Sequence, residues 1–278
     1  MTVPSKSLPT HWIVAALILL AVIVAGGYLL LHQAKHPAPA PAAAASTAPA
    51  PAATAPAPEA HPISEASVSP APASTTPLPA LGDSDGMLRD VLARLGGDGA
   101  GKLLVGGSFI QRIVATINAL PSDRLPSNVL PVRSPPGSFE VAQADGATVM
   151  APANAHRYAR YAKLLEQADA QQLVDWYVHA YPLFQDAWRQ LGYPKSQFND
   201  RLVQVLDLLL KTPVPAKAPQ LEGADGLYRF VDPQLENLAI GQKILLRLGP
   251  AQETAALAKL RAIRAKLVGR HPSATPSK

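Results

Sequence analysis

Twenty uncharged, apolar residues, Trp12–Leu31 (WIVAALILLAVIVAGGYLLL), stand near the N-terminus and constrain everything that follows them. A helix rises about 1.5 Å per residue, so such a run spans ~30 Å, the hydrocarbon thickness of a bilayer. It is longer than the ~7–15-residue apolar core of a cleaved signal peptide. It also continues through Tyr28, Leu29, Leu30 and Leu31, past the small residues Ala25-Gly26-Gly27 where cleavage would fall. The run therefore reads as a retained signal-anchor, with Trp12 and Tyr28 toward its ends as interfacial aromatics. Lys6 before it and Lys35 after it leave the positive-inside count undecided. Because residues 1–11 are short, they are expected to stay in the cytoplasm while the larger C-terminal part is translocated.

A Pro/Ala-rich tract over residues 36–80 follows the anchor. Proline blocks helix and sheet hydrogen bonding, and alanine, serine and threonine offer too little apolar area to offset the entropy of ordering. The expectation is a disordered linker of polyproline-II character that holds a domain near the membrane and lets it search for a partner. The chain has no cysteine, which removes disulfides, thiolate metal sites and thiol redox chemistry from consideration.

Residues 81–270 carry a different pattern, apolar positions at helical spacing, and residues 271–278 read as a disordered tail. Met87–Leu95 behind Asp83/Ser84 and Phe109–Leu120 behind Ser108 read as helices. Ser138–Val141 and Ala147–Val149, around Ala144-Asp145-Gly146, read as a β-hairpin. Asn154 can cap Ala155–Gln167, and Asp169 can cap a helix reaching Leu191, with Leu173, Tyr177, Tyr181, Phe184, Trp188 and Leu191 forming one stripe. Pro182 inside that stripe predicts a kink or a break. Phe198–Leu210, a helix from Asp232-Pro233 to Leu248, and a last helix over Gln252–Val268 complete the set. The fold class is thus mainly α: an irregular helical bundle with one small β-hairpin, preceded by the transmembrane helix and the linker.

No catalytic motif is complete. Gly96-Gly97-Asp98-Gly99-Ala100-Gly101-Lys102 satisfies GxxxxGK, but Leu103 stands where a phosphate-binding loop needs a hydroxyl for magnesium, and a helix precedes it instead of a strand. A glycine linker is the simpler reading. Only His156 and His179 lie in the domain, without metal-ligand spacing, so neither a metal nor any other cofactor is expected. Asp232 and Glu236, one helical turn apart, are the sole candidate acid pair, although a cap and a dipole partner explain both. The last helix gathers Lys259, Arg261, Arg264, Lys266 and Arg270 against Glu253 alone. A solvated face is the first explanation of that helix, an anionic lipid surface or envelope polymer the second, and nucleic acid a poor third.

The segment Leu227-Tyr228-Arg229-Phe230-Val231-Asp232-Pro233-Gln234-Leu235-Glu236, then Gln242-Lys243-Ile244-Leu245-Leu246-Arg247-Leu248-Gly249-Pro250, is distinctive. With Leu191-Gly192-Tyr193-Pro194 and Phe198 upstream, it resembles the bacterial DUF3014 family, a domain of unknown function, over roughly residues 81–268. The resemblance implies a proteobacterial envelope protein and assigns no catalytic residue, cofactor or partner. Taken with the anchor and the short N-terminus, the expectation is an inner-membrane protein with a periplasmic domain. Tyr228, Arg229, Lys243 and Arg247 are the first candidates for a partner surface, with Lys259, Arg264 and Lys266 for an anionic one. The expected role is an interaction module for an envelope protein or anionic envelope polymer, with a hydrolase of cell-wall or envelope substrates as the alternative. Oligomeric state is left open.

Overall fold

The computed structural model describes residues 77–268, apart from 97–103, 105, 133–134, 136 and 225–226. Eight helices and two hairpins fill the described residues, in the order α1 (Ser84–Gly96), α2 (Phe109–Ala119), β1 (Val141–Ala144), β2 (Ala147–Met150), α3 (Asn154–Gln167), α4 (Ala170–Gln190), α5 (Phe198–Leu210), β3 (Leu221–Ala224), β4 (Leu227–Phe230), α6 (Pro233–Glu236), α7 (Ile240–Arg247) and α8 (Pro250–Val268). The anchor Trp12–Leu31, most of the Pro/Ala tract and the tail 271–278 lie outside the described residues. Where the tract meets the domain, Leu78 already packs against the core. No helix among the described residues is long and apolar enough to cross a membrane.

Helix α4 forms the centre of the bundle. Asp169 caps it, accepting from the Gln172 N–H at 2.8 Å, as its position before the apolar stripe predicts. Its aromatic stripe buries Tyr177, Phe184 and Trp188 against Phe198 of α5; Phe184 stacks on Phe198 at 5.8 Å and meets Tyr177 edge-on at 5.4 Å. The helix runs through Pro182 without a break; Pro182 lies on the exposed side, away from the stripe. Leu191 departs from the stripe: the helix ends at Gln190, and Leu191 is 41 % exposed. Helix α8 closes the bundle, packing on α3, α4, α5 and α7 through Ala256, Leu257, Leu260, Ile263 and Leu267.

Two helix starts differ from expectation. Ser108 does not cap α2; its backbone is left-handed at φ 56° and its side chain makes no cap bond. The cap comes from Asp85 of α1, whose carboxylate accepts from the Ser108 N–H at 2.7 Å and the Phe109 N–H at 2.9 Å. A charged acceptor at a helix N-terminus satisfies orphan donors and the dipole together. Gly107 makes room for it, since a Cβ there would sit 2.9 Å from Asp85 Oδ2. Asn154 is the first residue of α3, not a cap outside it. Its buried amide pairs with the residue before β1, taking the Glu140 N–H at 3.1 Å and donating to the Glu140 carbonyl at 2.6 Å.

The expected single helix from Pro233 to Leu248 is two, α6 and α7. The break arises because the first N–H groups of α7 are taken by the end of α2: Ile240 donates to the Ser122 carbonyl at 2.8 Å and Gly241 to Leu120 at 3.0 Å. Gly241 allows that approach, as a Cβ would lie 3.2 Å from the Leu120 carbonyl oxygen and 2.8 Å from Leu209 Cδ2. Tertiary hydrogen bonds thus replace the local ones that would have continued the helix.

There are also two hairpins where one was expected. The first is shifted toward its turn, pairing Val141–Ala144 with Ala147–Met150 around Asp145 (φ 52°) and Gly146 (φ 77°). Two successive positive φ angles give the primed turn that matches strand twist. The second pairs Leu221–Ala224 with Leu227–Phe230, and a Val149↔Gln220 bridge sets β2 beside β3. Leu221, Phe230, Leu235 and Leu246 form a separate small apolar cluster beneath the hairpins, joined by Phe139, Val141, Met150, Tyr228 and Leu238.

Candidate binding surfaces

The hairpin corner brings together most of the residues singled out in the sequence. Arg247, at the end of α7, is only 3 % exposed. Its guanidinium lies over the Phe230 ring at 5.3 Å and the Phe139 ring at 5.9 Å, and its Nη2 donates to the Tyr228 carbonyl at 2.8 Å. Burial pushes its pKa down to about 10, with the Glu236 carboxylate opposing the shift. Tyr228 itself is half-buried, its ring 5.7 Å from Phe139.

Strand parity explains what Arg247 and Glu236 do there. The Val231 N–H donates to the Gln220 carbonyl at 3.0 Å, so in the antiparallel ladder Arg229 faces β3 while Tyr228 and Phe230 turn their backbone groups outward. Arg247 takes the outward Tyr228 carbonyl, and Glu236 accepts from the outward Phe230 N–H at 3.0 Å. Lys243 then donates to Glu236 Oε1 at 3.2 Å and to the Glu236 carbonyl at 3.0 Å. Two side chains thus stand in for a neighbouring strand and cap the edge of β4. Asp232 caps α6, accepting from the Gln234 N–H at 2.8 Å. Both members of the candidate acid pair are engaged by backbone donors, and Glu236 by an ammonium as well. Of the four residues first considered as a partner surface, only Arg229 is exposed.

The basic residues of α8 serve as stitches. Lys259 donates to the Ala168 carbonyl at 2.5 Å, just past the end of α3 where the helix dipole favours a cation. Arg264 pairs with Asp207 of α5 through both carboxylate oxygens, and Lys266 donates to Gln171 of α4 at 2.9 Å. Arg261 remains exposed, while Arg270 and the glycine-rich stretch Gly97–Lys102 lie outside the described residues. His156 and His179 are both exposed, on different helices. Among the described residues no group of three or more His, Asp or Glu side chains is placed to hold a metal ion. Glu253, on the buried face of α8, is 2 % exposed with its Oε1 unpartnered, and burial pushes its pKa up to about 7.

A surface not foreseen in the sequence lies between α4 and α5. Residues 189–197 are all exposed, and Leu191 and Tyr193 are each 41 % exposed. Hydrogen bonds brace this loop. Trp188 Nε1 donates to Ser196 Oγ at 2.9 Å, Gln185 donates to the Ser196 carbonyl at 2.9 Å, and the Tyr181 hydroxyl donates to Gln197 Oε1 at 2.8 Å. The Tyr193 ring lies flat on Trp188, centroids 4.0 Å apart, and its hydroxyl accepts from Asn118 at 3.3 Å. Arg201 fixes Asn118 in turn, donating to its Oδ1 at 3.0 Å. The signal available in the sequence was Gly192, which at φ 109° turns the chain out of the helix one residue after Leu191.

The match to known families spans this architecture from α2 into α8. A family model described as "Protein of unknown function (DUF3014)" matches residues 109–264. The chain belongs to the DUF3014 family. No curated protein and no solved structure matches it. The DUF3014 match takes in the hairpin corner, the stitches of α8 up to Arg264 and the 189–197 loop, and leaves α1 and Lys266 outside.

Proposed function

We propose that this protein is a single-pass inner-membrane protein of the bacterial envelope that presents its helical domain, on the Pro/Ala-rich tract, as a binding module in the periplasm. The apolar run Trp12–Leu31 and the proline-rich tract after it support the anchor and the tether. The braced 189–197 loop supports binding. Hydrogen bonds to Ser196 and Gln197 brace the loop, and Tyr193, stacked on Trp188, stays partly exposed beside Leu191, an apolar feature of the kind that anchors protein interfaces. Rigid aromatic anchors lose little entropy on docking, which is why they concentrate binding energy. The hydrolase alternative rests on Asp232 and Glu236, whose carboxylates are committed to the fold.

Two measurements test this reading. Because the natural chain has no cysteine, a single Ser273→Cys substitution reports topology. A membrane-impermeant maleimide added to cells with a permeabilised outer membrane is expected to label it; labelling only after lysis would sink the periplasmic placement. A photo-crosslinking residue at position 191 in the full chain is expected to give a discrete protein adduct in living cells. Tyr193→Asp should remove that adduct. An adduct that persists in the Tyr193→Asp protein would sink the loop as the binding surface.

A further inference from the structure

The two outer edges of the hairpin layer are finished differently, and the difference exposes a second docking site. Next to β1 the Ala151 N–H donates to the Glu140 carbonyl at 3.0 Å. Parity then fixes Glu140, Ala142 and Ala144 as the residues whose backbone groups face β2, leaving those of Val141 and Gln143 turned outward. Among the described residues no side chain or backbone group pairs with those outward groups, in contrast to β4, where Arg247 and Glu236 do so. Gln143 and Ala144 are exposed, and the Val141 side chain reaches the small apolar cluster under the hairpins.

We propose that the outer edge of β1 is a strand-addition site for an extended, basic segment of a partner protein. The proposal rests on the binding-module reading above and adds a surface and a partner chemistry to it. An unpaired strand edge is a template for one more strand, which gains main-chain hydrogen bonds. Charge selects the occupant. The pairing stretch Val141–Ala144 is uncharged, and the exposed acids Glu140 and Asp145 bracket it, with the Arg157 guanidinium near Glu140 offsetting part of that charge. A strand with basic residues at its two ends and a β-branched residue opposite Val141 meets attraction at both ends and an apolar neighbour in the middle. A second copy of the strand would add its own Glu140 and Asp145 to the same short edge. The chain's own Pro/Ala tract is a poor strand partner because its prolines lack the donors a ladder needs.

The test uses the full chain and a synthetic peptide, Lys-Val-Thr-Val-Thr-Lys. Amide exchange at Val141 and Gln143 is expected to be at least tenfold faster than at Ala142 and Ala144 in the free protein, and to slow at least tenfold with peptide. Gln143→Pro removes one outward N–H, along with the Gln143 side-chain bond to Thr148, without removing a backbone bond of the β1–β2 ladder, and should weaken peptide binding at least tenfold. If that substitution unravels the hairpin, seen as fast exchange at Ala142 and Ala144, a peptide with glutamates replacing both lysines still decides; it should bind at least tenfold more weakly. The proposal is overturned by unchanged exchange on adding peptide, by protection of Val141 and Gln143 before any peptide is added, or by equal binding of the glutamate peptide. None of these results touches the crosslinking outcome at position 191, so the edge and the loop fail separately.

Discussion

In the bundle, ring meets ring: Tyr177, Phe184, Trp188 and Phe198 bury one another between α4 and α5. In the hairpin corner a buried guanidinium joins the rings, lying over Phe139 and Phe230 while Tyr228 packs beside Phe139. The contrast follows from size. The bundle has enough apolar side chains to enclose its own backbone, and its helices satisfy their hydrogen bonds internally. The corner has four short strands and a small apolar cluster, so its strand edges remain open unless charged side chains close them. In the corner, charged side chains therefore close strand edges that the sheet itself leaves open, while the charges of α8 tie helix to helix.

Substitutions on the two sides of this contrast should separate them. The largest effect is expected in the ring cluster, where Phe184→Ala leaves a cavity among fully buried aromatics and should cost about 3–5 kcal/mol in a urea titration. Arg247→Ala strips the Tyr228 carbonyl of its donor and the two rings of their cation, and should cost about 2–3 kcal/mol. If Arg247→Met restored most of that loss, packing and not charge would be holding the corner, and the contrast would weaken.

The acid at position 253 gives an effect of intermediate rank that depends on pH. Its folded pKa of about 7 lies above its ordinary value of 4.5, so the folded state holds the proton more tightly than the unfolded chain. Its contribution is therefore fully favourable below pH 4.5, falls as pH rises toward 7, and is flat beyond. Glu253→Gln should flatten that part of the Tm-against-pH curve and leave the variant more stable than the natural protein at pH 8. Asp85→Ala should cost about 1 kcal/mol by removing the cap of α2. Arg264→Gln, breaking a half-exposed ion pair, should cost below about 1 kcal/mol and less still at high salt.

Much of this architecture was legible in the residues. The α4 stripe, the Asp169 cap, the buried face of α8 and the Asp232-Pro233 helix start follow from local rules, because each depends on neighbours within a few positions. What could not be read were the places where a distant group supplies the hydrogen bond. Asp85 caps a helix that starts twenty-four residues later at Phe109, and the Leu120 and Ser122 carbonyls split α6 from α7. The second hairpin was within reach, since Ala224-Asp225-Gly226 repeats the Ala144-Asp145-Gly146 signal of the first. The contacts of the candidate partner-surface residues are long-range in the same way. Tyr228 and Arg247 are joined only when α7 folds back on β4, and Lys243 meets Glu236 across the turn between α6 and α7.

The reach of Asp85 across to α2 also bears on where the inherited unit begins. The DUF3014 match starts at Phe109, the residue whose N–H Asp85 holds. A recombinant fragment cut at that boundary would start with a bare helix end and without Leu88, which is fully buried in the bundle core. The stretch from Leu78 onward therefore belongs to any piece meant to be expressed alone, and sequence comparisons that stop at 109 trim away part of the molecule's own scaffold.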